Sequence, residues 1–183
     1  METKTRTRLT FEALSRMDPE ELESILRAGL GPKPETLAGF EWRGYNRPAW
    51  ATLLGIRKFV KGFFVKDGKV EGYNIPPLQN GFDQPWISKP SVAQPKRFAF
   101  FVVRPVDPDS KDNLYPAATH LNYGESTRNI AIDPSRVIRD YVVQVDPQNP
   151  DLLLGKAYLA LGPARVFSNY FIIERLRPTT WKP

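Results

Sequence analysis

The chain has no cysteine and a single histidine, His120, among its 183 residues. Without cysteine there is no disulfide framework, no thiolate nucleophile and no sulfur ligand for zinc. One histidine is too few for an ordinary histidine metal site, so no metal and no other cofactor is expected. Long apolar runs are missing as well. No stretch approaches the roughly 18 apolar residues of a membrane-spanning helix. The polar start Met1-Glu2-Thr3-Lys4-Thr5 lacks the apolar core of a secretion signal. With the missing cysteines, this makes the cytoplasm the expected compartment. No phosphate-binding glycine loop, Ser/His/Asp nucleophile set or internal repeat occurs.

Lys and Arg exceed Asp and Glu, 26 against 20, a formal charge of +6. The basic residues are scattered, as on a solvated surface. Lys58, Lys61, Lys66 and Lys69 gather on one predicted hairpin beside Phe63 and Phe64, a mixture that can serve as a platform for single-stranded nucleic acid. Core packing explains the phenylalanines better, and no nucleic-acid motif is present, so nucleic acid is not the expected partner.

What the chain does have is β pattern. Three apolar runs between Val137 and Arg175 are separated by Asp146-Pro147-Gln148-Asn149-Pro150-Asp151 and by Gly162-Pro163-Ala164. Val, Ile, Leu, Tyr and Phe fill the runs while Pro and Gly sit between them, which predicts an antiparallel three-strand meander. In the first run Val137, Tyr141, Val143 and Val145 alternate with Asp140, Gln144 and Asp146, so the first set is expected in the core and the second in water. Upstream, Lys58–Lys66, Asp67-Gly68 and Lys69–Ile75 form a hairpin, because both turn positions tolerate positive φ.

The remaining organisation follows from caps and breakers. Residues 1–9 are a basic arm and 10–36 a helical segment. Asp18-Pro19-Glu20-Glu21 starts a helix, Leu22, Ile25 and Leu26 share its apolar face, and Gly29 ends it, with Leu30 available to fold back. Asn46-Arg47-Pro48 opens a short helical segment, Ala49–Gly55, after the first strand, and Gly55 stops it. Residues 76–97 form a proline-rich loop around Trp86, long enough to be a lid or a covering flap. Strands are predicted near 37–45, 58–66, 69–75, 97–104, 116–123, 137–146, 152–161 and 165–175, with a tail over 176–183. The fold class is mostly β: a single domain built on an eight-stranded antiparallel up-and-down barrel over 37–175. Such a barrel holds side chains or one small ligand.

The stretch Gly39-Phe40-Glu41-Trp42 resembles the Gly-x-Trp signature on the first strand of lipocalin-like barrels. More closely, the chain resembles uncharacterised bacterial proteins named for a Gly-x-Trp-x-Gly motif, which carry a second conserved segment of unknown function. Trp42-Arg43-Gly44, Leu53-Leu54-Gly55 with Lys58-Phe59, and the runs Val137–Tyr141, Leu153–Gly155 and Tyr170–Arg175 carry the resemblance. Two residues rather than one separate Gly39 from Trp42. The resemblance implies a lipocalin-like barrel and no established chemistry. It also implies that Trp42 packs near a basic residue of the last strand, Arg175 or Arg177.

Trp50, Tyr73, Trp86, His120 and Tyr141 are the candidate pocket residues. His120 and Tyr141, with Asn74 nearby, are the candidate proton carriers if they face inward. Asp140, Asp146 and Glu174 are expected in salt bridges with Arg139, Lys156 or Arg175. Three functions follow: a barrel that binds a small apolar or amphipathic molecule, a cofactor-independent isomerase or lyase using His120 and a Tyr, or a filled barrel acting as an interaction protein. For the last, strands 97–104 and 152–175 are apolar on both faces and need cover from a helix, a homodimer or a protein partner.

Overall fold

The computed structural model describes residues 9–179 and 181. Apart from Leu9, the basic arm lies outside the described residues. Helices α1 (Phe11–Arg16), α2 (Pro19–Ala28) and α3 (Pro34–Leu37) precede β1 (Phe40–Asn46), and α4 (Trp50–Leu53) follows it. Then come β2 (Lys58–Lys66), β3 (Lys69–Ile75), β4 (Phe98–Pro105), β5 (Thr119–Asn122), β6 (Ile138–Gln144), β7 (Leu152–Leu161) and β8 (Ala164–Pro178). Each strand pairs with the next in antiparallel register, and β8 closes onto β1, giving an eight-stranded up-and-down barrel. The β6–β7–β8 meander and the Asp67-Gly68 turn form as the pattern predicts, with φ of 49° and 74° at the two turn residues. β8 outlasts its predicted end by three residues, reaching Pro178.

Closure divides the strand residues into an interior set and an outer set, and both are apolar. Inside lie Trp42, Phe63, Val70, Phe101, Val103, Leu121, Val142, Leu153 and Ile173. Outside lie Val60, Phe64, Tyr73, Ile75, Tyr141, Val143, Leu152, Leu154, Tyr170 and Ile172. The outer set is sealed by other parts of the same chain. Phe11 and Leu14 of α1, packed on β8, and Leu22 and Leu26 of α2, packed on β7, join it, as do Trp86, Tyr115 and Trp181. This accounts for most of the doubly apolar strands without a partner subunit, although Leu161, Val166 and Phe167 at the β7–β8 tip stay exposed.

Local caps follow the sequence with two differences. Glu21 accepts from the Asp18 N–H at 3.2 Å at the start of α2, and the Gly29 N–H closes the helix onto Ile25 O at 2.9 Å. Gly29 keeps an extended φ of −78°, so its role is close approach: a Cβ there would collide with Val143. Leu30 does not fold back and is exposed. The proline loop lies along the outer wall. Phe11 meets Phe82 and Trp86 at ring-centroid distances of 5.7 and 5.8 Å. The Trp86 Nε1–H donates to Gly44 O at 3.1 Å. Lys58 Nζ holds the loop by donating to Asn80 Oδ1 at 2.6 Å and Gln84 O at 2.7 Å.

Four strand glycines each face an aromatic partner across the sheet: Gly44 and Phe59, Gly62 and Tyr73, Gly72 and Phe101, Gly155 and Phe171. In every pair the ring lies over the glycine, where a Cβ would intrude on it. The missing side chain lets a large ring lie flat against the wall, inside the barrel for Phe59, Phe101 and Phe171 and on its outer face for Tyr73. Gly155→Ala is therefore expected to lower unfolding free energy by about 1–3 kcal/mol through overpacking against Phe171. Urea denaturation of Gly155→Ala, Phe171→Leu and the double variant tests this: the double variant should recover part of the loss, and strict additivity would contradict the ring contact.

Candidate functional site

The lower half of the barrel is filled. Trp42 meets Phe63, and Phe63 meets Phe101, at centroid distances of 6.3 and 5.5 Å. Leu37 of α3 closes this end with them. Arg175 lies over both Phe40 (4.1 Å) and Trp42 (5.1 Å) while its Nε pairs with Asp151 at 2.7 Å. The Trp42–basic residue contact implied by the lipocalin-like resemblance is thus present in this chain, and Arg177 instead pairs with Glu41 at 2.7 Å.

The upper half is hollow. A cavity of about 420 Å³ is lined at its mouth by exposed Trp50, Ile56 and Phe98 and by Leu159. Further in it meets Phe59, Ala99, Ala157 and Phe171. At its inner end four polar side chains come together, three from strands and one from the turn after β5: Lys61 (β2), Asn74 (β3), Asp140 (β6) and Tyr123, all buried. Lys61 Nζ pairs with Asp140 Oδ2 at 3.0 Å and donates to Asn74 Oδ1 at 3.1 Å and to the Tyr123 hydroxyl. The Tyr123 O–H donates to Asp140 Oδ2 at 2.9 Å, and Asn74 Nδ2 donates to Ala99 O at 2.9 Å. The Phe59, Phe101 and Phe171 rings surround Nζ at 5.3, 5.0 and 5.4 Å.

Burial sets the chemistry of this group. It pulls the Lys61 ammonium below its usual pKa, and the Asp140 carboxylate recovers only part of that. Burial, reinforced by Asp140, pushes the Tyr123 hydroxyl well above its ordinary pKa, so it stays protonated. The floor of the cavity is therefore an ion pair of zero net charge, an amide and a neutral phenol. It can hydrogen-bond a polar head, and it holds one amine able to exist neutral.

The sequence-predicted pocket residues separate. Trp50 lines the cavity mouth. Tyr73, Trp86, His120 and Tyr141 are corrected: all four belong to the outer layer, because their positions alternate with the inward residues of β3, β5 and β6 or lie on the loop outside β1. Tyr73 packs on Trp181 at 4.9 Å and meets Thr179 Oγ1 at 2.6 Å. His120 stacks on Tyr141 at 5.0 Å, and Tyr141 O–H donates to Asp112 O at 2.7 Å. Neither His120 ring nitrogen meets a partner among the described residues. The expected wet face of β6 is also corrected: Asp140 points into the barrel and pairs with Lys61. Lys156 pairs with Glu23 at 2.7 Å, Arg139 with Asp112 at 3.1 Å, and Glu174 with Arg43. Comparison with protein-family models, curated proteins and solved structures finds no match for this chain.

Two outcomes are expected. Lys61→Met leaves Asp140 buried without its cation and should cost about 3–5 kcal/mol in urea denaturation, while Lys61→Met with Asp140→Leu recovers most of it. Equal losses in the two variants would contradict the interior pair. The second concerns pH. Burial lowers His120 from 6.5 to about 4. Between those values the unfolded chain binds a proton that the folded chain does not, so stability is full above 6.5 and falls as pH drops. The loss reaches roughly 3 kcal/mol at pH 4. His120 is the only histidine, so His120→Phe should flatten the stability profile from pH 6.5 to 4.5. Parallel profiles would contradict a buried neutral His120.

Proposed function

We propose that this barrel binds a small amphipathic molecule with a neutral polar head, taken apolar end outward into the upper cavity. The observation that carries the reading is the half-filled interior. Barrel residues pack tightly below Lys61 and leave about 420 Å³ open above it, within the size range of small-molecule pockets. The lining suits an aliphatic or aromatic body, and the floor suits a hydroxyl, carbonyl or amide. An anionic head is disfavoured. Asp140 already neutralises Lys61, so a second carboxylate would bring unpaired negative charge into a water-poor cavity.

The hollow half argues against a purely structural, filled barrel. A reaction carried by His120 and Tyr141 loses its support, since both residues lie behind the wall. Strands 97–104 and 152–175 are largely covered within the chain, which weakens the case for a homodimer through them. No helix among the described residues is long and apolar enough to cross a membrane.

A fluorescence titration with the neutral dye Nile red, followed by displacement with decanol and decanoate, tests the reading. Decanol should displace the dye at least about tenfold more strongly than decanoate, a difference of about 1.4 kcal/mol. Ala157→Phe should fill the cavity and abolish binding while the protein stays folded. Wild type that binds neither dye nor decanol, or that prefers decanoate, would sink the proposal.

A further inference from the structure

The inner end of the cavity holds a primary amine, which reversible binding of a neutral head does not require. We propose that Lys61 forms a covalent imine with an aldehyde or ketone ligand in the cavity. The inference rests on the reading of the cavity as a ligand site. An arginine would serve a purely structural ion pair as well as lysine does, with more hydrogen bonds; lysine differs in that it can become neutral and nucleophilic. Lys61 stands where that property is usable. Lys61 lines the cavity at the boundary between the packed and hollow halves of the barrel, and its Nζ has a proton acceptor, Asp140 Oδ2, 3.0 Å away. Burial, which favours the neutral amine, is consistent with this placement.

The step balances without any added reagent. Lys61 passes one ammonium proton to Asp140. The neutral Nζ attacks the carbonyl carbon and forms the C–N bond, and the carbonyl π pair moves to oxygen. That oxygen takes a proton from the attacking nitrogen, giving a carbinolamine. The C–O bond then breaks as the hydroxyl leaves with the Asp140 proton as water, and the nitrogen lone pair closes the C=N bond. The product is a protonated imine paired with the Asp140 carboxylate, and one water is released. Tyr123, whose O–H donates to Asp140 in the resting pair, can turn that donor to the carbonyl oxygen once Asp140 is protonated. Asn74 holds Nζ from the other side at 3.1 Å.

The test uses the full chain with decanal and sodium cyanoborohydride at pH 7, which fixes an imine as a secondary amine, followed by peptide mass mapping. Lys61 should carry the adduct about tenfold or more over the exposed Lys66, Lys69 and Lys96, as expected for an amine of lowered pKa held beside bound aldehyde. Excess decanol should suppress it. Lys61→Arg, which keeps the cation beside Asp140 but has no amine able to form an imine, should lose the adduct at position 61 while the exposed lysines label as in wild type, and Lys61→Met with Asp140→Leu serves as the control if Lys61→Arg fails to fold. If decanal displaces Nile red but labels only the exposed lysines, the imine is overturned and ligand binding stands. If wild type neither binds Nile red nor is labelled at Lys61, both readings fall.

Discussion

A lysine–carboxylate pair inside the barrel is the constraint around which the rest is arranged. Taking Lys61 and Asp140 out of water is costly, and the cost is offset by their mutual contact and by the hydrogen bonds that Lys61 Nζ donates to Asn74 and Tyr123 and that Tyr123 donates to Asp140 Oδ2. β2, β3, β5 and β6 must hold one register for Lys61, Asn74, Tyr123 and Asp140 to meet. A one-residue slip of β6 would send Asp140 to the outer wall, where Tyr141 now packs on Tyr115 and Tyr158, and Tyr141 into the interior. The apolar layers on either side then sort themselves: aromatic and branched side chains fill the barrel below the pair, and smaller ones, Ala99 and Ala157, leave the space above it.

The outer wall follows the same logic with the opposite chemistry. There the charges are anchors rather than a floor. Glu23 of α2 accepts from Lys156, Tyr115 and Tyr170; burial raises its pKa, but those hydrogen bonds outweigh burial and bring it to about 2. Lys58 fixes the proline loop, and Asp112 draws in Arg139 and Arg165. These ties hold helices and loops against strands whose outward faces are greasy, so the barrel is the inner of two concentric apolar layers.

Much of the fold was legible in the sequence, because the signals were local. The Asp67-Gly68 turn, the Pro-rich breaks of the meander and the capping residues of α2 each act within a few positions. The faces were harder. Alternation in Val137–Val145 separates Tyr141 and Val143 from Asp140 and Gln144, but period two does not say which set looks inward. A charged residue suggests water, and only closure of the barrel reveals that Asp140 has a cation waiting inside. Lys61 was misleading for the same reason: among Lys58, Lys66 and Lys69 it looks like one more surface charge. The inward signal was its position, flanked at i±2 by Phe59 and Phe63, so that the cation shares a strand face with two large rings. His120, Tyr73 and Trp86 drew attention as rare or large residues, and rarity carries no information about orientation.

The most direct measurement is a crystal structure of the protein soaked in decanol brominated at its terminal methyl, with the bromine located by its anomalous signal. The account predicts the hydroxyl against Lys61 and Tyr123 and the bromine near Trp50 and Phe98, with no density in the packed half. Bromine at the floor beside Asp140, or seated outside the wall under Trp86, would contradict it.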